Sequence, residues 1–293
     1  MTSAADRVPA PLLVLAGIVS VQFGGALAAT LVPVIGAGGS VVLRLLFASA
    51  LLLVFVRPRW RGHSHRARLT VIAFGVALGL MNFTFYSSLA HLPIGVAVTI
   101  EFIGPLSLAA ALSRRGLDAV AVAAAAAGVV LISEALSTPF ADLEKTGIAL
   151  ALLAGAFWAA YIVLAGRTGG EFPKLEGLAL AMVVATVVTL PLGITSAPSW
   201  SPDILLKAFG IAVLSSVLPY SLELLALRRL SAKVFGILLS LEPAFAALAG
   251  LLVLGQVLSP TQLVGMALVV AASALVLGLG ARQRPDPAEA AST

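Results

Sequence analysis

Ten apolar stretches of 17 to 23 residues, separated by short polar connections, leave this chain few ways to fold. They are Leu12–Val32, Ser40–Val56, Leu69–Leu89, Ile94–Leu112, Leu117–Ser133, Thr146–Ala165, Glu176–Thr195, Ile204–Leu225, Ala232–Leu254 and Thr261–Gly280. About 20 apolar residues in a helix span the hydrocarbon of a bilayer. Backbone amides there must be bonded within their own segment, so each stretch is expected to be a helix. A membrane β-barrel would show alternating strands of about 10 residues, and the sequence has no such alternation. Only 11% of the 293 residues are charged, against roughly a quarter in soluble domains, so most of the surface must face lipid. Turn residues punctuate the connections at Gly36–Ser40, His91–Pro93 and Ala197–Asp203. The expected fold class is an all-α membrane protein of ten transmembrane helices.

The basic residues orient these helices. With the N-terminus placed in the cytoplasm, 15 of the 18 Lys and Arg fall in inside regions, and Arg44, Lys145 and Lys207 are the exceptions. That bias predicts both termini inside and fits an even number of spans. The net charge of +5 sits in short loops, which points to anionic lipid headgroups and not to nucleic acid. The absence of cysteine excludes disulfides and thiolate nucleophiles. Leu12–Val21 followed by Ala26–Ala28 has the outline of a signal peptide, but its start is weakly charged. The polar, Pro- and Ala-containing residues 282–293 are expected to be a disordered cytoplasmic tail.

An internal repeat is faint but has a register. Shifted by 138 residues, Leu92 falls on Leu230, Val96 on Val234, Pro105 on Pro243 and Gly17 on Gly155. The shift sets the first stretch on the sixth, the third on the eighth and the fourth on the ninth. Residues 1–140 and 141–281 are therefore expected to be two five-helix repeats. An odd number of spans gives the halves opposite topology, the architecture of secondary transporters that work by alternating access.

Three acids lie within the apolar stretches: Glu101, Glu223 and Glu242. An ionised side chain at mid-bilayer costs about 3 kcal/mol or more on insertion scales, so such residues face a bundle interior or a wet cavity. Glu101 has two readings. Either it meets a substrate amine or a proton, or it pairs with a buried cation, for which Arg44 is the candidate. Snorkelling or that structural ion pair is the expected role of Arg44, ahead of the alternative that it binds a substrate carboxylate. Glu223 is close to Arg228 and Arg229, and an interfacial ion pair is its plainer reading. Prolines mark the same regions as helix-kink positions. Pro105 removes the amide that would bond the Glu101 carbonyl, Pro243 does so for Leu239, and Pro219 for Ser215. Interrupted spans at matching places in two halves point to a transport site.

Further polar and aromatic groups recur at helical spacing: Asn82 and Tyr86, Trp158 and Tyr161, Tyr220 and Glu223, with Gln22 in the first stretch. Each pair either lines a cavity or holds helices together. The small-residue patches 75–80 and 153–157 read as helix packing. The three histidines lie in loops, and no phosphate-binding glycine loop or serine-nucleophile motif occurs. No enzymatic activity, metal or cofactor is expected. A membrane enzyme or receptor would carry a soluble domain or a catalytic cluster, and the longest connection is too short for one.

Several of these stretches look familiar. "RLLFA" (44–48), "MNFTFYSSLAHLPIGVAVTIEFIGPLSLA" (81–109), "GAFWAAYIVLAGR" (155–167) and "LPYSLELLALRRLSAKVFGILLSLEPAFAALAGLLVLG" (218–255) resemble the EamA-type members of the drug/metabolite transporter superfamily. The resemblance implies a 5+5 inverted-repeat bundle in the bacterial inner membrane. It implies export of small neutral amino acids such as threonine or homoserine, with other metabolites or drugs as the alternative. Carried over residue by residue, the substrate-binding lining is Gln22, Asn82, Tyr86, Glu101, Trp158, Tyr161, Tyr220, Glu223 and Glu242, with Glu101 and Glu242 as proton-coupling candidates. One departure stands out: Gln256 occupies the place of the family's usual acid after the ninth stretch.

Overall fold

The computed structural model describes residues 8–133, 136, 139, 143–254 and 258–281. Arg7, Gln256 and the tail 282–293 lie outside the described residues. Among those described there are twelve α-helices and no strand. They are α1 (Ala10–Ala29), α2 (Val32–Val56), α3 (His65–Ser88), α4 (Ile94–Ala111), α5 (Gly116–Ile132) and α6 (Lys145–Glu171). After them come α7 (Glu176–Gly193), α8 (Pro202–Ala212), α9 (Leu218–Leu227), α10 (Ala232–Leu239), α11 (Glu242–Leu254) and α12 (Pro260–Ala281). Among the described residues six helical rods are long and apolar enough to cross a membrane: α2, α3, α6, α7 with its 3₁₀ extension, the α8–α9 rod, and α12. Shorter apolar helices run over Ala10–Gly25, Gly95–Ala111 and Gly116–Ile132.

The first connection lies where the sequence places it. Thr30 and Leu31 keep right-handed helical φ/ψ, and within Val32–Val56 the backbone leaves helical geometry at Gly36, the first residue of the expected turn 36–40. Glycine is needed there for two reasons. Gly36 has φ +73°, a conformation costly for other residues, and it bends α2 after Pro33. Gly38 sits against the Leu192 carbonyl of α7, where a side chain would collide. The glycine cluster is thus both the expected turn, at Gly36, and a packing surface, at Gly38.

Packing follows a pattern of swapped pairs. α3 lies along α6, and α1 lies along the α8–α9 rod; α2 packs on α7, and α5 on α12. The two small-residue patches serve close approach, as read from sequence. Gly75 and Gly79 abut Ala181 and Ala185 of α7. Gly155 of α6 faces α4 so closely that a methyl group there would sit 2.5 Å from the Glu101 carbonyl oxygen. That carbonyl is the one Pro105 leaves without its amide, and α4 continues unbroken through the proline.

The other two prolines act differently. Before Pro219 the rod opens into a π turn, Val213–Val217. In that register the amide due at the Leu214 carbonyl belongs to residue 219, which has none; the Ser20 hydroxyl of α1 donates to it instead, at 2.6 Å. The expected free carbonyl therefore moves from Ser215 to Leu214. At Pro243 the helix breaks outright at Ser240–Leu241, and the proline takes the first turn of α11, where a missing amide costs nothing. Pro105 and Pro243 match in register but not in geometry.

One end of the bundle is filled by an apolar layer that includes Val14, Ile18, Phe74, Leu224 and Phe235, all buried. Beside it Lys233 Nζ donates to Asp118 Oδ2 at 2.8 Å, tying the start of α10 to the start of α5.

Candidate functional site

Above that layer the bundle is hollow. A cavity of about 530 Å³ is lined from α1, α2, α3, α4, α6, the π turn, α9 and α11, and it reaches Gly95, Ser133 and Gln262 at helix ends. Its polar lining includes Gln22, Asn82, Tyr86, Glu101, Trp158, Tyr220, Glu223 and Glu242. Eight of the nine residues carried over from the sequence are thereby brought together. The ninth, Tyr161, stands behind the wall, 1% exposed, and donates its hydroxyl to Glu223 Oε2 at 2.6 Å.

Glu223 corrects its plainer reading. It forms no ion pair with Arg228 or Arg229. It is 6% exposed and turned into the cavity, while Arg228 donates to the Lys174 carbonyl and Arg229 to the Val8 carbonyl. The reason is helical phase: Tyr220 and Glu223 are one turn apart, so both follow the inner face of α9, and the two arginines lie past its end.

Arg44 also departs from expectation. Among the described residues the ion pairs are His91–Glu144 and Lys233–Asp118, and Arg44 has no carboxylate partner. It is 5% exposed and lines the cavity. Its guanidinium donates to Asn82 Oδ1 and, at 3.4 Å each, to the hydroxyls of Tyr86 and Ser215. The Tyr86 ring lies 5.0 Å from Cζ, within cation–π range. Its Nε has no partner.

Asn82 is the hub. Its Nδ2 donates to the Leu78 carbonyl and to the Tyr220 oxygen at 3.0 Å, and Oδ1 accepts from Arg44 and from the Tyr220 hydroxyl. Gln22 Nε2 reaches the Glu242 backbone carbonyl at the α10–α11 break. Trp158 stacks edge-on against Phe102, with centroids 4.8 Å apart. Glu242 lies within electrostatic reach of both Glu101 and Glu223. The chamber thus has a guanidinium side, around Arg44 and Asn82, and a carboxylate side. Sequence reasoning missed the Ser215 side chain, whose signal is weak, and the ion pair it expected of Arg44 does not form. As a charge deep in an apolar stretch, Arg44 met the same rule that selected the glutamates.

Apolar helices of spanning length around a buried, charged chamber describe a multi-pass membrane protein. Sequence comparison makes it a transporter, with residues 145–278 matching the EamA-like transporter family. The chain belongs to that family. It is 39% identical over 264 residues to the threonine/homoserine exporter RhtA of Escherichia coli strain K12, covering 89% of this chain and 88% of that one. It is equally 39% identical over 265 residues to RhtA of Salmonella typhimurium strain LT2, covering 89% of both. A crystal structure of a protein 18% identical superposes with a TM-score of 0.70, covering 94% of this chain and 99% of the other, which speaks for the fold alone.

Proposed function

We propose that the protein is a secondary active exporter of small neutral amino acids of the threonine and homoserine type, working by alternating access across the bacterial inner membrane. The observation that carries this is the 39% identity to named threonine/homoserine exporters over 89% of the chain. The chamber's chemistry supports it. A zwitterion needs an acceptor for its ammonium and donors for its carboxylate. Glu101 and Glu242 supply the first. Tyr86 and Trp158 supply the second, with Asn82 and Tyr220 bonded to each other beside them. Glu101 and Glu242 are also the groups assigned to proton exchange.

The proposed architecture is ten crossings in two inverted five-helix repeats, 1–140 and 141–281, with both termini cytoplasmic. The crossings are α1 to α7 singly, the α8–α9 rod, the α10–α11 pair and α12. The packing pattern supports it. Exchanging the halves turns the contact of α3 with α6 into that of the α8–α9 rod with α1, and returns α2–α7 and α5–α12 to themselves. With the positive loops inside, the chamber faces outward and the apolar layer closes its cytoplasmic side.

Flux of radiolabelled threonine and homoserine in proteoliposomes, with and without an imposed pH gradient, tests this reading. Saturable flux of both, faster with the gradient, is expected. A reconstituted protein that moves neither, yet moves another metabolite, would reassign the substrate.

A further inference from the structure

We infer that Arg44 is the anchor for the substrate's carboxylate, so that the chamber selects ligands that carry one. The inference rests on the amino-acid exporter reading and assigns a role within the same chamber. A guanidinium removed from water is costly unless an anion or a full set of acceptors compensates it. Arg44 is 5% exposed, and its partners are all neutral: an amide oxygen and two hydroxyls. Two of those three bonds are long, at 3.4 Å. Its Nε is buried and unbonded. A guanidinium holds five N–H donors in a planar fork that matches a carboxylate's two oxygens, and here that capacity is only partly used.

The surroundings fix the fork without neutralising it. Asn82 directs its oxygen at Arg44 because its own Nδ2 is committed to Leu78 and Tyr220. The Tyr86 ring covers one side of the guanidinium. No glutamate approaches within ion-pair distance, although Glu101, Glu223 and Glu242 line the same chamber. A bundle that held Arg44 for stability alone would set one of those acids against it. Keeping the two signs apart in one hollow suits a ligand that carries both.

The test is competition against labelled L-threonine counterflow in proteoliposomes by L-homoserine and by L-threoninol, which keeps the ammonium and lacks the carboxylate. On the wild type, threoninol should compete at least about tenfold more weakly than homoserine. Arg44→Gln should raise the KM for threonine at least about tenfold and abolish the preference for homoserine over threoninol, with Arg44→Lys intermediate because an ammonium cannot bind bidentately. Equal competition by threoninol on the wild type, or a KM within about twofold in a folded Arg44→Gln, would overturn the assignment. If Arg44→Gln does not fold, the wild-type comparison decides alone. A wild type that moves no threonine defeats the exporter reading instead. The carboxylate site is then judged by thermal unfolding with lactate: stabilisation of the wild type but not of Arg44→Lys supports it, and no stabilisation overturns it.

Discussion

Asn82 and Tyr220 stand 138 residues apart in the chain and are hydrogen-bonded to each other, the amide donating at 3.0 Å and the hydroxyl returning at 3.2 Å. The separation is the same shift that lays Leu92 on Leu230 and Pro105 on Pro243. Positions exchanged by a twofold axis touch only beside that axis. On the proposed repeat, the pair therefore marks where the axis passes, and it does so at the wall of the chamber, next to Arg44. A substrate bound there meets both halves at once, which is what alternating access requires.

The pair should behave as one unit. Tyr220→Phe is expected to destabilise the protein by about 1 kcal/mol, the net worth of a buried hydrogen bond, and Asn82→Leu by about 2–3 kcal/mol because it also takes an acceptor from the Arg44 guanidinium. The double variant should lose less than the sum, with a coupling of about 0.5 kcal/mol or more. Thermal unfolding in detergent for the four proteins gives the cycle. Strict additivity would show that the contact has no energetic content.

Glu101→Gln should reduce threonine efflux at least about tenfold while the protein still inserts at wild-type level, because the change keeps the size of the side chain but removes the group proposed to exchange a proton and bind the ammonium. Efflux assayed beside quantified membrane protein is the measurement. Normal efflux by a well-inserted variant would remove Glu101 from the site.

The reach of the sequence follows from what each signal measures. Glu101, Glu223 and Glu242 were legible because a charge in hydrocarbon has few tolerable places, and Asn82 and Tyr86 because helical spacing puts them on one face. Arg44 was equally visible, but the choice between an ion pair and a free guanidinium depends on which acid stands opposite, and that is a tertiary fact. Tyr161 follows the same face as Trp158, yet a shift of three residues turns it behind the wall toward Glu223. Gly36–Ser40 has the composition of a loop, and Gly36 takes the positive φ of one, whereas the approach of Leu192 that explains Gly38 is a tertiary fact. Pro105, Pro219 and Pro243 have one chemistry and three outcomes: a continuous helix, a π turn and a break. The neighbours differ too: Gly155 leaves room beside the Glu101 carbonyl, and the Ser20 hydroxyl donates to that of Leu214.

Two glycines of α6 offer a controlled comparison. A methyl group at Gly155 would press on the Glu101 carbonyl, whereas one at Gly166 meets nothing within 4 Å. Gly155→Ala should cost about 1–3 kcal/mol through forced separation of α4 and α6. Gly166→Ala should be neutral or stabilising by up to about 1 kcal/mol, the helix-propensity difference. Melting temperatures of the two variants in one detergent check this. Equal effects would mean that the α4–α6 crossing is looser than described.

On the proposed orientation and mechanism, opening toward the cytoplasm requires the apolar layer to part, and the Lys233–Asp118 pair ties α10 to α5 beside it. The Asp118 side chain is 3% exposed and that of Lys233 is 24%, so the pair is shielded enough to contribute about 1 kcal/mol. Lys233→Met should then shift the population toward the cytoplasm-open state by about fivefold. The chain has no cysteine, so single cysteines report access without background. Gln262→Cys, at the chamber's mouth, should react with an impermeant thiol reagent in intact spheroplasts. Ile18→Cys, in the layer and 1% exposed, should be protected from both sides in the wild type. Adding Lys233→Met should raise Ile18→Cys labelling in inside-out vesicles about fivefold and lower Gln262→Cys labelling from outside, since one state grows at the expense of the other. Labelling of Gln262→Cys from the cytoplasmic face alone would reverse the assigned orientation, and unchanged labelling of Ile18→Cys would show that the ion pair does not hold the gate.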